Sequence, residues 1–310
     1  MSLRIHLGQK NRKNTKRILN GRLEKCRAAL EQADAHAAIH DARKEMKKIR
    51  AFGRLMRAEI GKKTYRMTNM YYRDLGRKLA PARDAAAMLG TLDLIADDVT
   101  QDQEKKAFRD IKNHLVSQKS AASRTIIKGD ELLNTLKSDL VRAEQIHNAW
   151  KVRHENFQAF RGGLGKTYKR CRKTMNKAYK KKTAEAFHEW RKRAKYLRYQ
   201  VNYLREVWHK PMKSLEKELH QLTDYLGNEH DLSVLKAHIQ QMEYEDKEAI
   251  NNIIAIIDRK KDELQLLARP LGDKILLDTK KDFLKRLQFY WKKSLKEERI
   301  QHRKQAMPAD

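Results

Sequence analysis

A chain of 310 residues with 70 Lys and Arg against 40 Asp and Glu carries a formal net charge of +30, and 40 % of it is hydrophobic. That is too apolar for a disordered polyelectrolyte, and the length allows one large core or two smaller ones. No run approaches the roughly 18 apolar residues of a membrane span, the opening MSLRIHLGQKNRKNTK has no apolar leader core, and so basic a surface is expected to seek anions: nucleic acid, acidic lipid or a polyphosphate.

Only four prolines and twelve glycines punctuate the chain, which favours long helices over strands. The first predicted helix carries Lys10, Lys13 and Arg17. Asp34 is then suited to cap a second helix, with Gly61 at its end. At steps of three and four this helix presents one basic seam, His40, Arg43, Lys47, Arg50, Arg54 and Arg57. The seam beside it, Ile39, Ala42, Met46, Ile49, Gly53, Met56 and Ile60, is a core face. Pro81 starts a further helix, and two more are predicted near 102–127 and 130–156. A basic helix follows with a stripe of Lys166, Lys169, Arg170, Lys173 and Lys177, and with Tyr168 among them. Thr183 caps a second seam-bearing helix, which Pro211 ends before opening the next. Asn228, after Gly227, is predicted to cap another, with Asp231 three residues in. The last helices fall near 246–268 and 279–300, giving about five or six in each half.

The two seam-bearing helices are related. A shift of 148 lays His40 on His188, Asp41 on Glu189, Arg43 on Arg191, Lys47 on Lys195, Arg50 on Arg198 and Arg57 on Arg205; Arg54 alone falls on a neutral residue, Asn202. The apolar seam recurs as Phe187, Trp190, Ala194, Leu197, Val201, Leu204 and Trp208. Downstream, LGRKLAPARDAAAMLGTL from Leu75 matches LTDYLGNEHDLSVLKAHI from Leu222 and puts Asp84 on Asp231. Two ordered matches at nearly one offset indicate a duplicated helical unit, 1–155 and 156–310.

The paired segments IHDARKEMKKIR and FHEWRKRAKYLR resemble the signature of the CHAD family, the conserved histidine α-helical domain. LAPARD and LGNEHD, the basic GLGKTYKRCRKTM and the closing KKDFLKRLQFYWK support the resemblance, which spans nearly the whole chain as one domain. It implies an all-α fold of two pseudo-symmetric antiparallel four-helix bundles, with a basic groove between them that binds inorganic polyphosphate. Composition alone gives only a polyanion binder.

Residues three and four apart rise about 5 Å per step, so each seam offers a cation at that interval. A linear anion between two such helices would meet charge along its length, and arginine's fork grips two phosphate oxygens at once. The candidate contacts are His40, Arg43, Lys47, Arg50, Arg54 and Arg57; Lys166, Tyr168, Lys169, Arg170 and Lys173; and His188, Arg191, Lys195, Arg198 and Arg205. Tyr199 is a further hydroxyl donor. The competing explanation is a solvated face, but such faces usually mix signs. For His40 and His188, phosphate contact and a structural hydrogen bond both stay open. Asp84 and Asp231 fit the first turn of a helix better than a role in orienting a basic side chain.

Other signals are weaker. RGGLGKT at 161–167 lacks the first glycine of a phosphate loop, where Phe160 stands, and no strand precedes it. Glu243, Glu245 and Lys247 spell the ExExK of triphosphate tunnel enzymes, but in a stretch expected to be helical. His36 with His40-Asp41, and His230-Asp231, suggest a metal-dependent phosphohydrolase, yet the repeat puts Ala184 and Glu189 at the matching positions. No metal, cofactor or catalytic residue is therefore expected. Nucleic-acid backbone is the alternative partner, although aromatics are only 7 % and no base-reading motif is visible. Cys26 and Cys171 sit at non-equivalent positions and read as free thiols of a cytoplasmic protein, for which association with polyphosphate granules is a compatible setting.

Overall fold

The computed structural model describes residues 2–32, 34–78, 84–127 and 130–305, and among these the regular structure is helical throughout. Eleven α-helices follow one another: α1 (Asn11–Leu30), α2 (Ala35–Leu55), α3 (Lys62–Lys78), α4 (Asp84–Leu92), α5 (Asp102–Ile127), α6 (Asp130–Asn148), α7 (Gln158–Lys181), α8 (Ala184–Tyr203), α9 (His209–Ile239), α10 (Lys247–Ile275) and α11 (Lys280–Gln305).

Periodicity does most of the work. Every residue of the first apolar seam, from Ile39 to Ile60, is buried, and so is the second from Phe187 to Leu204; only Trp208 breaks the pattern, at 45 % exposed. Burying one such stripe against neighbouring helices outweighs the weak intrinsic preference of each segment. Thr183 caps α8 as expected, its hydroxyl accepting from the Ala186 N–H. Cys26 and Cys171 are free and buried, and burial pushes both thiols up to about 12.

The second seam helix ends at Tyr203, well before Pro211, α10 runs on through Pro270 to Ile275, and three further boundaries that differ from the sequence reading bear on the site. First, α2 ends at Leu55 rather than near Gly61, and Arg57 sits on the turn that follows; Gly61 closes that turn with φ +81°, a left-handed conformation that costs glycine least. Second, α6 stops at Asn148, because side chains take over the backbone beyond it: Asn11 Nδ2 donates to the carbonyls of His154 and Asn156, and Glu59 accepts from the Arg153 and His154 N–H groups. Third, α9 runs unbroken through Gly227 and Asn228, so Asn228 caps nothing. Leu226, Glu229 and Leu232 bury the continuing face, and that packing overrides a glycine–asparagine pair. Of the ExExK stretch, Glu243 and Glu245 lie in the loop between α9 and α10 and Lys247 opens α10, which Asp246 caps by accepting from the Ala249 N–H. Pro81 lies outside the described residues.

The apolar interior does not divide at residue 155. The larger cluster draws together α1, α2, α3 and α6 with α7, α8, α11, the start of α9 and the end of α10. The smaller one packs α4 and α5 against the later part of α9 and the earlier part of α10. Helices α2 and α8 lie side by side at the centre, joined where Gln200 Nε2 donates to the Ala51 carbonyl (3.3 Å) and the Tyr203 hydroxyl to that of Lys48 (3.1 Å).

Candidate anion-binding site

The apolar stripes of α2 and α8 face inward, so the basic seams beside them are left at the edge of the joint. A pocket of about 330 Å³ opens there. Arg43, Lys47 and Arg50 line it from α2, and His188, Arg191, Lys192, Lys195, Tyr196 and Tyr199 from α8. His230, Asp231 and Val234 of α9 and Met88 and Thr91 of α4 complete it. Among the described lining residues there are six Lys and Arg side chains and one carboxylate, Asp231.

Partners hold many of these cations in place. Arg43 Nη1 donates to the Gly76 carbonyl at 2.6 Å. Arg50 Nε and Arg54 Nη1 both reach Asn69 Oδ1, and the Arg54 guanidinium lies 4.1 Å from the centre of the Tyr196 ring. The Arg57 guanidinium covers the Tyr65 ring at 4.5 Å. Among the described residues, no carboxylate forms an ion pair within 4.0 Å of Arg50, Arg54 or Arg57. Burial, and then the charges of Arg54 and Arg73, hold the Arg50 guanidinium below its ordinary value.

The α8 side is partly compensated. Arg198 pairs with Glu216 at 2.9 Å, and Arg191 stands 4.0 Å from Asp231. Because α9 is continuous, Asp231 is not a first-turn acid; it is a pocket carboxylate beside an arginine, the role the sequence ranked second. His188 Nδ1 meets His230 Nδ1 at 3.1 Å, with the rings 4.1 Å apart, so one nitrogen donates and the other accepts. Burial, then His188 and the nearby Arg191, Lys195 and Lys192, push His230 down to about 3. Burial and Lys192 lower His188 as well.

Several candidates stand apart from this pocket. Tyr168 is buried, stacked on Phe283 at 4.2 Å, and donates its hydroxyl to the Asp278 carbonyl, so it belongs to the core. The reason is register: Leu164, Tyr168 and Cys171 share the inner face of α7, while Lys166, Lys169, Arg170 and Lys173 are exposed on the outer one. Arg17 is used to fix the N-terminal segment, donating to the carbonyls of Ser2 and Arg4. Arg205 leaves the seam because α8 ends at Tyr203; it sits in a short 3-10 turn against His209. His40 is exposed near the start of α2, outside the described lining of the pocket. The side chains of His36 and Asp84 lie outside the described residues. RGGLGKT is helical within α7, and its glycines serve packing: a Cβ on Gly163 would come within 1.9 Å of the Leu55 carbonyl oxygen.

The profile of the CHAD domain matches residues 17–240, nearly three quarters of the chain. The chain belongs to the CHAD domain family. The match runs from within α1 to just past the end of α9, so every residue lining the pocket lies inside the CHAD domain. A search of curated proteins finds no match to the chain. Sequence reasoning missed His230, Lys192 and Tyr196 as pocket residues of this CHAD domain. The signal for His230 was present, one residue before the Asp231 that the repeat singled out. No helix among the described residues is long and apolar enough to cross a membrane, and none of their His, Cys, Asp and Glu side chains cluster as a metal site would require.

Proposed function

We propose that this CHAD domain binds inorganic polyphosphate and holds it without cleaving it. The observation that carries the reading is the pocket, in which six Lys and Arg side chains from α2 and α8 converge. Like charges gathered in a partly buried site repel one another, and a polyanion relieves that cost. Membership of a family associated with polyphosphate supports the choice of anion. The paired seams also support an origin by duplication of one helical unit, 1–155 and 156–310, with two bundles flanking a basic groove. Retention rather than hydrolysis fits a pocket in which Asp231 is turned toward Arg191 and His188 and His230 are turned toward each other. A cytoplasmic setting, at polyphosphate granules, is the environment this chemistry suits.

Competition settles the ligand class. Labelled long-chain polyphosphate, challenged with duplex DNA, RNA and heparin at one salt concentration, should be displaced least by the nucleic acids. DNA binding as tight as polyphosphate at equal charge overturns the reading in favour of a nucleic-acid backbone binder. With Mg²⁺ or Mn²⁺ present, no orthophosphate should appear above the blank; sustained release that disappears in His188→Ala would reinstate a phosphohydrolase.

A further inference from the structure

We propose that Arg57, Lys166 and Arg170, gathered where α7 crosses the C-terminal end of α2, form a second anchoring point that makes the domain favour long polyphosphate chains over short ones. The proposal rests on the polyphosphate reading above and adds chain-length selection to it.

The crossing is built for close approach. Gly163 sits where a Cβ would strike the Leu55 carbonyl oxygen at 1.9 Å, and a Cβ on Gly162 would lie 2.6 Å from that of Ala58. With α7 held this near, Lys166 stands one turn beyond the crossing and Arg170 another turn on, both exposed. Arg57 projects from the turn just after α2, its guanidinium steadied on the Tyr65 ring. The three cations feel one another. Repulsion from Arg57, then burial, then Arg170 lower the Lys166 ammonium. Burial, Arg170 and Arg54 likewise lower Arg57, against the opposing pull of Tyr65. Among the described residues, none of the three has an ion-pair partner within 4.0 Å.

The cluster is joined to the pocket. Tyr196 lines the pocket and carries the Arg54 guanidinium on its ring; Arg54 also lies 5.9 Å from the Tyr65 ring that supports Arg57. From Arg43 in the pocket to Arg57 the chain advances roughly 20 Å at about 1.5 Å per residue. A three-phosphate anion covers only part of that length and occupies one end. A long chain reaches both ends, and its second contact is intramolecular, with the gain that linkage brings. The rival exit passes α3, where Arg73 and Arg77 adjoin a smaller cavity of about 210 Å³ beside Arg43, Lys47 and Arg50. There Asp74 already lies 2.8 Å from Arg73 and 3.9 Å from Arg77, which weakens that route for an anion.

Calorimetric titration with tripolyphosphate and with a long-chain preparation, at one salt concentration, tests this. In Lys166→Glu/Arg170→Glu the long chain should bind roughly tenfold or more weaker. Tripolyphosphate should hold within about twofold, as each tenfold step needs about 1.4 kcal/mol of lost contact. Lys105→Glu/Lys112→Glu, on the distant α5, should change neither anion comparably, and thermal melts verify that each variant is folded. Equal losses for both anions show diffuse charge and overturn the proposal. So does an unchanged long-chain affinity, or a larger selective loss in Arg73→Glu/Arg77→Glu. If wild-type protein binds neither anion, it is the polyphosphate reading itself that fails.

Discussion

Two imidazole nitrogens 3.1 Å apart, His188 Nδ1 and His230 Nδ1, share a single hydrogen. The surrounding Arg191, Lys192 and Lys195 add a reason for the pair to stay neutral. In the unfolded chain His230 takes a proton near its usual 6.5, whereas in the fold it resists until about 3. His147, buried against the Tyr72 hydroxyl, is lowered to about 4 in the same direction. A depressed histidine contributes stability that is complete above its unfolded value and is lost as pH falls toward the folded one. The ligand-free domain should therefore lose Tm between about pH 6.5 and about pH 4. His230→Gln should flatten that slope in part, leaving the share of His147 intact. Bound polyphosphate should flatten it too, because an anion favours the protonated pair. Melting curves across this range, with and without polyphosphate, decide the matter: an identical slope in His230→Gln means that the pair does not set it.

At the scale of helices, one glycine fixes the geometry on which the basic cluster depends. A methyl at Gly163 meets backbone, not a yielding side chain, so α2 and α7 must part for it. Gly163→Ala should cost about 1–3 kcal/mol, the range of overpacked sites. Gly76, inside α3, has nothing within 4 Å of an added Cβ, and Gly76→Ala should add about 0.5–1 kcal/mol through helix propensity. Urea unfolding of the two variants distinguishes a helix crossing from a generic glycine effect; similar shifts in both would refute the crossing argument. Helices with an unbroken apolar stripe were legible in the sequence, since that stripe is what burial selects. The basic seams were legible for the same reason, being what remains beside it. Less legible was α9, where Gly227 and Asn228 suggest a break and only contact with α8 and α10 shows that there is none. That error moved His230 and Asp231 from mid-helix, where they line the pocket, to a helix start. The side chains that close the site, Tyr196 on Arg54 and Asn69 between Arg50 and Arg54, depend on contacts between helices that periodicity does not encode.

Over the whole molecule, a net charge of +30 makes some affinity for any polyanion unavoidable, so binding alone does not distinguish a site from a coat of lysines. Linkage to folding does. A ligand that binds only the native state stabilises it by about 2.7 kcal/mol at a hundredfold excess over its dissociation constant. A pocket that exists only when α2, α8, α9 and α4 are assembled should show this in full, because unfolding scatters the cations over the chain. Arg50→Glu/Lys195→Glu reverses one cation on each wall of the pocket. Lys105→Glu/Lys112→Glu takes away the same charge from the exposed side of α5. The first variant should lose most of the polyphosphate-induced rise in Tm and the second little of it. Raising salt should erode the remaining rise in every variant, since released counterions drive the electrostatic part of binding. The contrast between the variants is largest at low salt and isolates the pocket from diffuse charge. Equal losses in the two double variants would mean that the seams act only as a solvated basic face, and that the pocket between α2 and α8 is not where the anion is held.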